Sequence, residues 1–240
     1  MTDLSREILD RWQVRHTRAQ KTAFIEFLQE KLPELRVEKG SFRCRNLVLG
    51  DLENAKVVFG AHYDTCAVLP FPNFLMPEHP VLSLLYGVLP VIPMSFLSGI
   101  LVYLADLFSP NIFFYEAALL FPYLFLIWLM LFGFPNKHTA NDNTSGVVTV
   151  LELYASLSDE QRKNAAFVLF DNEELGLIGS SEFHRAHKAE MVEKLLINAD
   201  CVSDGDDLLL ILNKRAFPRY EKAFLAAFSE TGNKRVAVKS

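Results

Sequence analysis

Residues 165–174 read AAFVLFDNEE, an apolar run that ends abruptly in four polar or acidic residues. A continuous apolar run of this length between polar segments is typical of a strand that is buried on both faces of a sheet. Residues 56–61, KVVFGA, repeat the pattern and are followed directly by His62, Tyr63 and Asp64. The two runs therefore predict buried strands whose carboxyl ends carry polar and charged side chains.

Helical and strand-like patterns alternate around these two runs. The apolar spacing predicts one amphipathic helix over residues 3–32, which Pro33 ends. Further helices are predicted at 144–157, 175–189 and 219–229, and further strands at 42–49, 194–197 and 207–212. No strand is predicted in the last residues, 234–240. Strands that alternate with helices indicate an α/β fold with a mostly parallel central sheet and helices on both faces.

The composition fits one well-buried domain of this class. Half of the 240 residues are hydrophobic, which excludes a disordered chain. The 24 basic residues are outnumbered by 29 acidic ones, and a net charge of −5 provides no basic field, so we expect no nucleic-acid partner. Three scattered cysteines are too few for a disulfide framework, which is consistent with a reducing compartment.

Two long apolar segments interrupt the α/β pattern. Residues 81–104 and 117–134 contain no charged side chain, and about 20 apolar residues in a helix span a bilayer core of about 30 Å. A turn predicted at 109–111 separates them. We therefore predict that they cross a lipid bilayer as a helical hairpin. The alternative is a pair of buried helices in a large soluble core, which is disfavoured because soluble helices seldom lack a polar stripe.

The predicted hairpin occupies residues 76–135 and interrupts one α/β domain made of residues 1–75 and 136–240. Both ends of a hairpin emerge on the same side of the membrane. The connection between its helices is acidic and lacks Lys and Arg, whereas Lys137 lies close to the membrane on the other side. The charged N-terminus has no apolar core of a signal peptide. We therefore predict a multi-pass membrane protein whose α/β domain faces the cytoplasm. No pattern defines an oligomeric state.

Three polar clusters fall where α/β folds place their ligand sites. In the first, Asp64 lies two residues after His62, so its carboxylate can fix the tautomer of the imidazole and turn the other ring nitrogen towards a metal. A surface histidine beside an aspartate is the alternative. In the second cluster, Thr144 or Asn143 can cap the following helix. Capping does not need Asp142, whose carboxylate could instead bridge two cations.

The third cluster holds the adjacent carboxylates of Glu173 and Glu174. Two such groups at the end of a buried strand repel each other unless a cation lies between them or one of them is protonated. With a metal, one glutamate is a ligand and its neighbour handles the proton of the bound water. The alternative is a solvated acidic start of a helix, which the helix dipole favours.

These clusters lie within four sequence blocks that occur in a defined order. The blocks are GAHYDT at 60–65, ANDNTSGV at 140–147, FDNEELGLIGS at 170–180 and INADCVSDGD at 197–206. In this order they resemble the signature blocks of the two-zinc exopeptidases, peptidase family twenty-eight, which includes secreted bacterial leucyl aminopeptidases and, as relatives, the glutaminyl cyclases. The resemblance covers nearly the whole chain apart from the hairpin, and it implies the phosphorylase-like fold of the zinc exopeptidases.

The resemblance implies a centre that holds zinc, in the family two ions. It assigns the metal ligands to four positions, namely His62, Asp142, Glu174 and Asp200. Asp142 bridges both ions in this assignment, and Glu174 belongs to the second. The catalytic positions are Glu173, as general acid and base, and Asp64, which orients the imidazole. Nitrogen and oxygen ligands without thiolate suit zinc in an open catalytic site.

At the first zinc, Asp204 and Asp206 rival Asp200, although the family places that ligand directly after the strand. The chain departs from the family pattern at the second zinc. The family supplies a late histidine there, and no histidine follows His187. We interpret this as a truncated piece of a longer protein. His138 is an alternative ligand, although we expect it to be a loop residue at the membrane exit.

The sequence therefore predicts a membrane-anchored, zinc-dependent exopeptidase. The resemblance favours an aminopeptidase that removes N-terminal residues from peptide substrates. Two alternatives stay open at this point. One is a glutaminyl cyclase-like acyl transfer on a single zinc, and the other is a non-catalytic membrane protein that retains the fold.

Overall fold

The structure is a computed structural model that describes residues 1–71, 79–108, 111–228 and 235–240. The chain divides into two compact units, one made of Met1–Thr65 and Lys137–Ser240 and the other of Cys66–Asn136. The sequence-based domain boundary at 75/76 lies outside the described residues, and so does the turn predicted at 109–111 apart from Asn111.

The first unit alternates helices and strands. Its helices are α1 (Asp3–Arg11), α2 (Arg18–Lys31), α6 (Gly146–Ser156), α7 (Asp159–Arg162), α8 (Ile178–Ala186) and α9 (Phe217–Phe228). Its strands are β1 (Arg36–Lys39), β2 (Arg45–Gly50), β3 (Val57–His62), β4 (Ala165–Phe170), β5 (Leu195–Asn198), β6 (Asp207–Ile211) and β7 (Arg235–Lys239). The second unit holds α3 (Pro80–Val88), α4 (Val91–Phe108) and α5 (Ile112–Phe132).

The main sheet is mixed, so the prediction of a mostly parallel sheet is wrong. Its strand order is β1-β2-β4-β3-β5. The pairs β3/β4 and β3/β5 are parallel, whereas β1/β2 and β2/β4 are antiparallel. The sequence prediction missed β1, and the connection 40–44 between β1 and β2 is too short for the crossover that parallel neighbours require. The two strands therefore add an antiparallel hairpin to a parallel half-sheet.

Strand β4 divides the core into two layers, because its side chains alternate between the faces of the sheet. Ala165, Phe167 and Leu169 pack with residues of α1, α2 and α6 on one face. Val168 and Phe170 pack on the other face against Phe183 of α8. Helices therefore cover both faces, and this part of the fold prediction is confirmed.

The single N-terminal helix predicted over residues 3–32 is instead two helices. Thr17 caps α2, since its side chain accepts from the backbone N–H of Gln20 and the Gln20 side chain accepts from the Thr17 N–H. Such a capping box satisfies backbone groups that a continuous helix would use differently. Arg15, between the two helices, is fully buried. The break between the two helices thus places the Arg15 guanidinium in the interior of the unit.

The C-terminal residues also differ from the prediction. Arg235–Lys239 form β7, which pairs in parallel with β6 as a separate two-stranded sheet. Val236 and Val238 provide the short alternation that supports a strand. The prediction of no strand at 234–240 is therefore wrong.

The second unit exposes its apolar side chains. Val81–Phe108 and Ile112–Phe132 are long and apolar enough to cross a membrane, and only 6% of the most apolar stretch of each is buried. Helices α4 and α5 lie side by side. Ser98 is buried between them and donates a hydrogen bond to the Leu119 carbonyl at 2.8 Å. These helices are therefore not core helices of the described chain.

Candidate metal and catalytic site

Three neighbouring strands end at one edge of the main sheet. In the parallel pair β3/β4, His62 lies opposite Phe170, and in the pair β3/β5, Gly60 lies opposite Asn198. The polar residues that follow each strand are therefore brought to the same edge, where α/β sheets hold ligands. Asp142 reaches this edge from the irregular turn Ala140–Ser145 that precedes α6.

His62 lies at the centre of the cluster and is 2% exposed. Its Nδ1 lies 3.1 Å from the backbone oxygen of Asp64, which fixes the ring. Its Nε2 faces the carboxylates of three residues, Asp142 at 3.3 Å, Asp200 at 3.6 Å and Glu173 at 4.0 Å. One ring nitrogen is thus held by the backbone while the other points at converging anionic oxygens.

Asp64 organises the turn after β4. Its Oδ1 accepts from the Glu173 backbone N–H at 3.0 Å, and its Oδ2 accepts from that of Glu174 at 3.2 Å. The same Oδ1 lies 3.6 Å from His62 Nδ1, which is beyond hydrogen-bonding distance. The carboxylate of Asp64 therefore holds the two glutamates, while its backbone oxygen holds the imidazole.

Two groups of possible ligand atoms share His62. One group joins His62 to Glu173 and Glu174, and the other joins it to Asp142 and Asp200, with all ligand atoms of a group within 4.8 Å of one another. The structure thus brings together every residue that the sequence singled out for this centre.

The rival residues lie elsewhere. Asp204 and Asp206 are exposed and belong to neither group, and the Asp204 N–H donates to the Asn141 side chain. His138 is exposed and is likewise in neither group. Among the described residues, Asp200 is therefore the carboxylate of its block that reaches His62.

The electrostatics of the site fit a cation. Burial and the neighbouring carboxylates raise the pKa of Glu174 to about 8, and burial raises the pKa of Glu173. Although burial opposes it, hydrogen bonding to Asp142 and Asp200 raises the pKa of His62 far above its ordinary value. Glu174 Oε1 is buried without a hydrogen-bond partner in the described structure. Since buried carboxylates require compensation, this donor set suits a divalent metal.

A buried ion pair stabilises the turn after β4, which carries Glu173 and Glu174. Lys21 Nζ lies 2.6 Å from Asp171 Oδ1, and both side chains are almost fully buried. Asp171 Oδ2 accepts from the Arg45 backbone N–H at 2.9 Å. The charge of Asp171 is thus paired with that of Lys21, whereas Glu173 and Glu174 face the site.

Arg15 is a supporting residue that the sequence analysis missed. Its guanidinium donates to the carbonyls of Tyr63 and Trp12 and to Thr144 Oγ1, the last at 3.1 Å. Burial lowers the pKa of Arg15 to about 10 in spite of the nearby Asp64. It therefore joins the end of β3 to the turn that carries Asp142. The signal in the sequence is the loss of helical apolar spacing at 13–17.

Comparison with known proteins bears on the family and the fold. A sequence model of peptidase family M28 matches residues 131–239. The family-level resemblance is confirmed. No curated protein sequence matches the chain.

Two structures of LapA from Legionella pneumophila, one described as an aminopeptidase, resemble the M28-like chain with a TM-score of 0.52 and 13% identity each. The similarity covers 100% and 99% of this chain and 55% and 52% of theirs. At this identity the likeness concerns the fold, and the chain spans about half the length of LapA.

Proposed function

We propose that the chain is a zinc-dependent exopeptidase, specifically an aminopeptidase that removes N-terminal residues from peptides. The M28 match supports a peptidase in general. The observation that carries the finer proposal is the convergence of three carboxylates on Nε2 of the buried His62, with Glu173 among them. Such a site combines a metal position with a nearby proton acceptor.

In this proposal His62, Asp142 and Asp200 would hold one zinc, and Glu174 would be a ligand of a second. Zinc in an open site polarises the carbonyl of a peptide bond and lowers the pKa of bound water. The second position is favoured by Glu174 Oε1, which is buried and has no hydrogen-bond partner among the described residues. Burial and the neighbouring carboxylates raise the pKa of Glu174 to about 8, so a nearby cation would stabilise its charged form.

Glu173 is the proposed general base and acid. Asp64 holds its backbone N–H, so the turn places the carboxylate beside the site without using its oxygens. Its carboxylate lies 4.0 Å from His62 Nε2, which places a proton acceptor beside the proposed metal position. Glu173 takes the proton of the attacking water and delivers it to the leaving amine.

The test is Glu173→Gln, which keeps the shape of the side chain but removes the basic oxygen. We expect turnover of peptide substrates to fall by about 10²–10⁴-fold while zinc content is unchanged. Glu160→Gln, at an exposed glutamate that contacts Lys163, is the matched control. Unchanged turnover in Glu173→Gln would contradict the assigned role.

A glutaminyl cyclase-like reaction on one zinc is the second candidate. It is favoured by one observation, that both groups of ligand atoms share His62, so the described residues supply a single histidine to the centre. Zinc stoichiometry and product analysis separate the two reactions. Two ions with released amino acids support hydrolysis, whereas one ion with a cyclised N-terminal residue supports acyl transfer. A folded chain that binds no zinc would instead favour the non-catalytic alternative.

We also propose that α3, α4 and α5 anchor the protein in a lipid bilayer, with the catalytic unit on the cytoplasmic side. The proposal is supported by the exposed apolar helices and by Lys137, which follows them. In a cysteine-free background, a cysteine replacing Asn111 should react with an impermeant reagent in intact cells, and one replacing His138 should not. The reverse pattern would contradict this orientation.

A further inference from the structure

The side chain of Asn143 connects two loops of the site. It is fully buried, and its Nδ2 donates to the Ala199 carbonyl at 3.0 Å. Its Oδ1 accepts from the backbone N–H of Gly146 at 3.0 Å and from that of Cys201 at 3.3 Å. The bond to Gly146 lies at the start of α6, whose N-cap residue is Ser145 rather than the predicted Asn143 or Thr144. The other two bonds were not predicted.

The two unpredicted bonds bracket a proposed metal ligand. Ala199 immediately precedes Asp200 and Cys201 immediately follows it, while Asn143 itself follows Asp142. One carboxamide therefore fixes the backbone on both sides of Asp200 and next to Asp142. The carboxylates of these two residues lie 3.6 and 3.3 Å from the same nitrogen of His62.

Gly146 gives independent support for this connection. A Cβ at this position would lie 2.4 Å from the Ala199 carbonyl oxygen and 2.4 Å from Asn143 Oδ1. Both separations are far below van der Waals contact. Only glycine therefore lets the start of α6 approach the loop of Asp200 closely enough for the carboxamide to reach it.

Neighbouring polar side chains join the same two segments further out. Ser145 Oγ accepts from the Val202 N–H at 3.1 Å. Asn141 Oδ1 accepts from the N–H groups of Ser203 and Asp204, each at 3.1 Å. These bonds do not flank Asp200. Asn141 thus offers a matched control, since it has the same side chain on the same turn and similar backbone partners.

We propose that Asn143 is a positioning residue that fixes the carboxylates of Asp142 and Asp200 relative to each other around His62. The two carboxylates repel each other in the absence of a cation, so their loops would separate unless something held them. The Asn143 carboxamide opposes that separation and preorganises the metal position. This inference rests on the proposed metal-dependent function, because its main consequence is metal affinity.

The experiment compares Asn143→Ala, Gly146→Ala and the control Asn141→Ala in the full 240-residue chain. Zinc alone is the probe, measured by competition with a chromogenic chelator. We expect Asn143→Ala to weaken zinc binding by about 10–100-fold, as loss of a residue that orients a ligand typically does. Gly146→Ala should weaken it similarly, although alanine favours a helix, and Asn141→Ala should stay within about 2-fold of the wild type.

Hydrogen exchange of the metal-free protein separates this inference from the proposed function. The Cys201 amide should be protected in the wild type and in Asn141→Ala, and it should lose protection in Asn143→Ala. Unchanged protection and zinc affinity in Asn143→Ala, or an equal loss in Asn141→Ala, would overturn the inference. Wild-type protein that binds zinc but does not hydrolyse peptides would contradict the proposed function while leaving the role of Asn143 supported.

Discussion

The two units of the chain use the same kinds of residue in opposite ways. In the α/β unit Phe167 is 1% exposed and polar atoms gather at one edge of the sheet, whereas in the helical unit Phe96 is 74% exposed and the polar Ser98 is buried. Apolar side chains cluster away from water, and small polar residues mediate helix packing where the surroundings are apolar. The contrast supports the proposal that the helical unit, unlike the α/β unit, lies in a bilayer.

The largest expected effect comes from removing the helical unit. Residues 66–68 pair with residues 134–136, since the Val68 N–H donates to the Phe134 carbonyl and the Asn136 N–H donates to the Cys66 carbonyl. Because these ends already lie together, a short glycine-rich turn can replace residues 69–133. We expect the shortened chain to remain in the aqueous fraction and to keep its zinc affinity, whereas the intact chain needs detergent for extraction.

Carbonate washing of membranes is the corresponding measurement. Release of the intact chain into the aqueous fraction would contradict the proposal that the helical unit lies in a bilayer. A shortened chain that aggregates although the intact chain is folded would show that the α/β unit depends on the helices for more than anchoring.

A smaller effect is expected from Lys21→Met in the shortened chain. The substitution leaves Asp171 buried without its cation, which should lower the free energy of unfolding by about 3–5 kcal/mol. Lys163→Met breaks an exposed pair with Glu160 and should change it by about 0–1 kcal/mol. Urea unfolding checks both values. Equal effects of the two substitutions would mean that the Lys21–Asp171 pair does not support the turn of Glu173.

The smallest effect concerns the helical unit in detergent. Ser98→Ala removes the hydrogen bond to the Leu119 carbonyl but leaves the close approach of α4 and α5 intact. We expect a loss of about 0.6 kcal/mol, measured by denaturation in a detergent titration and followed by circular dichroism. A loss of several kcal/mol would contradict the view that packing, rather than the Ser98 hydrogen bond, holds α4 and α5 together.

The sequence predicted some elements residue by residue and missed others for physical reasons. Strand β4 was predicted with its observed bounds, because all six of its residues are apolar and polar residues flank it on both sides. Strand β1 was missed because RVEK lacks the apolar run of a buried strand. The two helices α1 and α2 were merged because the loss of apolar spacing at 13–17 is short, and it does not reveal that Arg15 binds the end of β3.

The sequence predicted the residues of the site, but it did not predict the contacts that hold these residues in place. Short motifs at strand ends, together with the resemblance, are enough to bring His62 and Glu173 to one edge of a sheet. The contacts of Asn143 with Ala199 and of Lys21 with Asp171 join residues that are 56 and 150 positions apart in the chain. No local pattern encodes such contacts, because they depend on how the strands are finally ordered.

Zinc binding by the wild type and by His62→Ala tests the central claim most directly. His187→Ala is the control, since that imidazole also contacts two carboxylates, those of Glu38 and Glu190, at 2.8 and 2.9 Å. The account predicts that wild type and His187→Ala bind zinc equally. It predicts that His62→Ala loses more affinity than the ~10–100-fold typical of an orienting residue. Equal zinc affinity in His62→Ala and the wild type would contradict it.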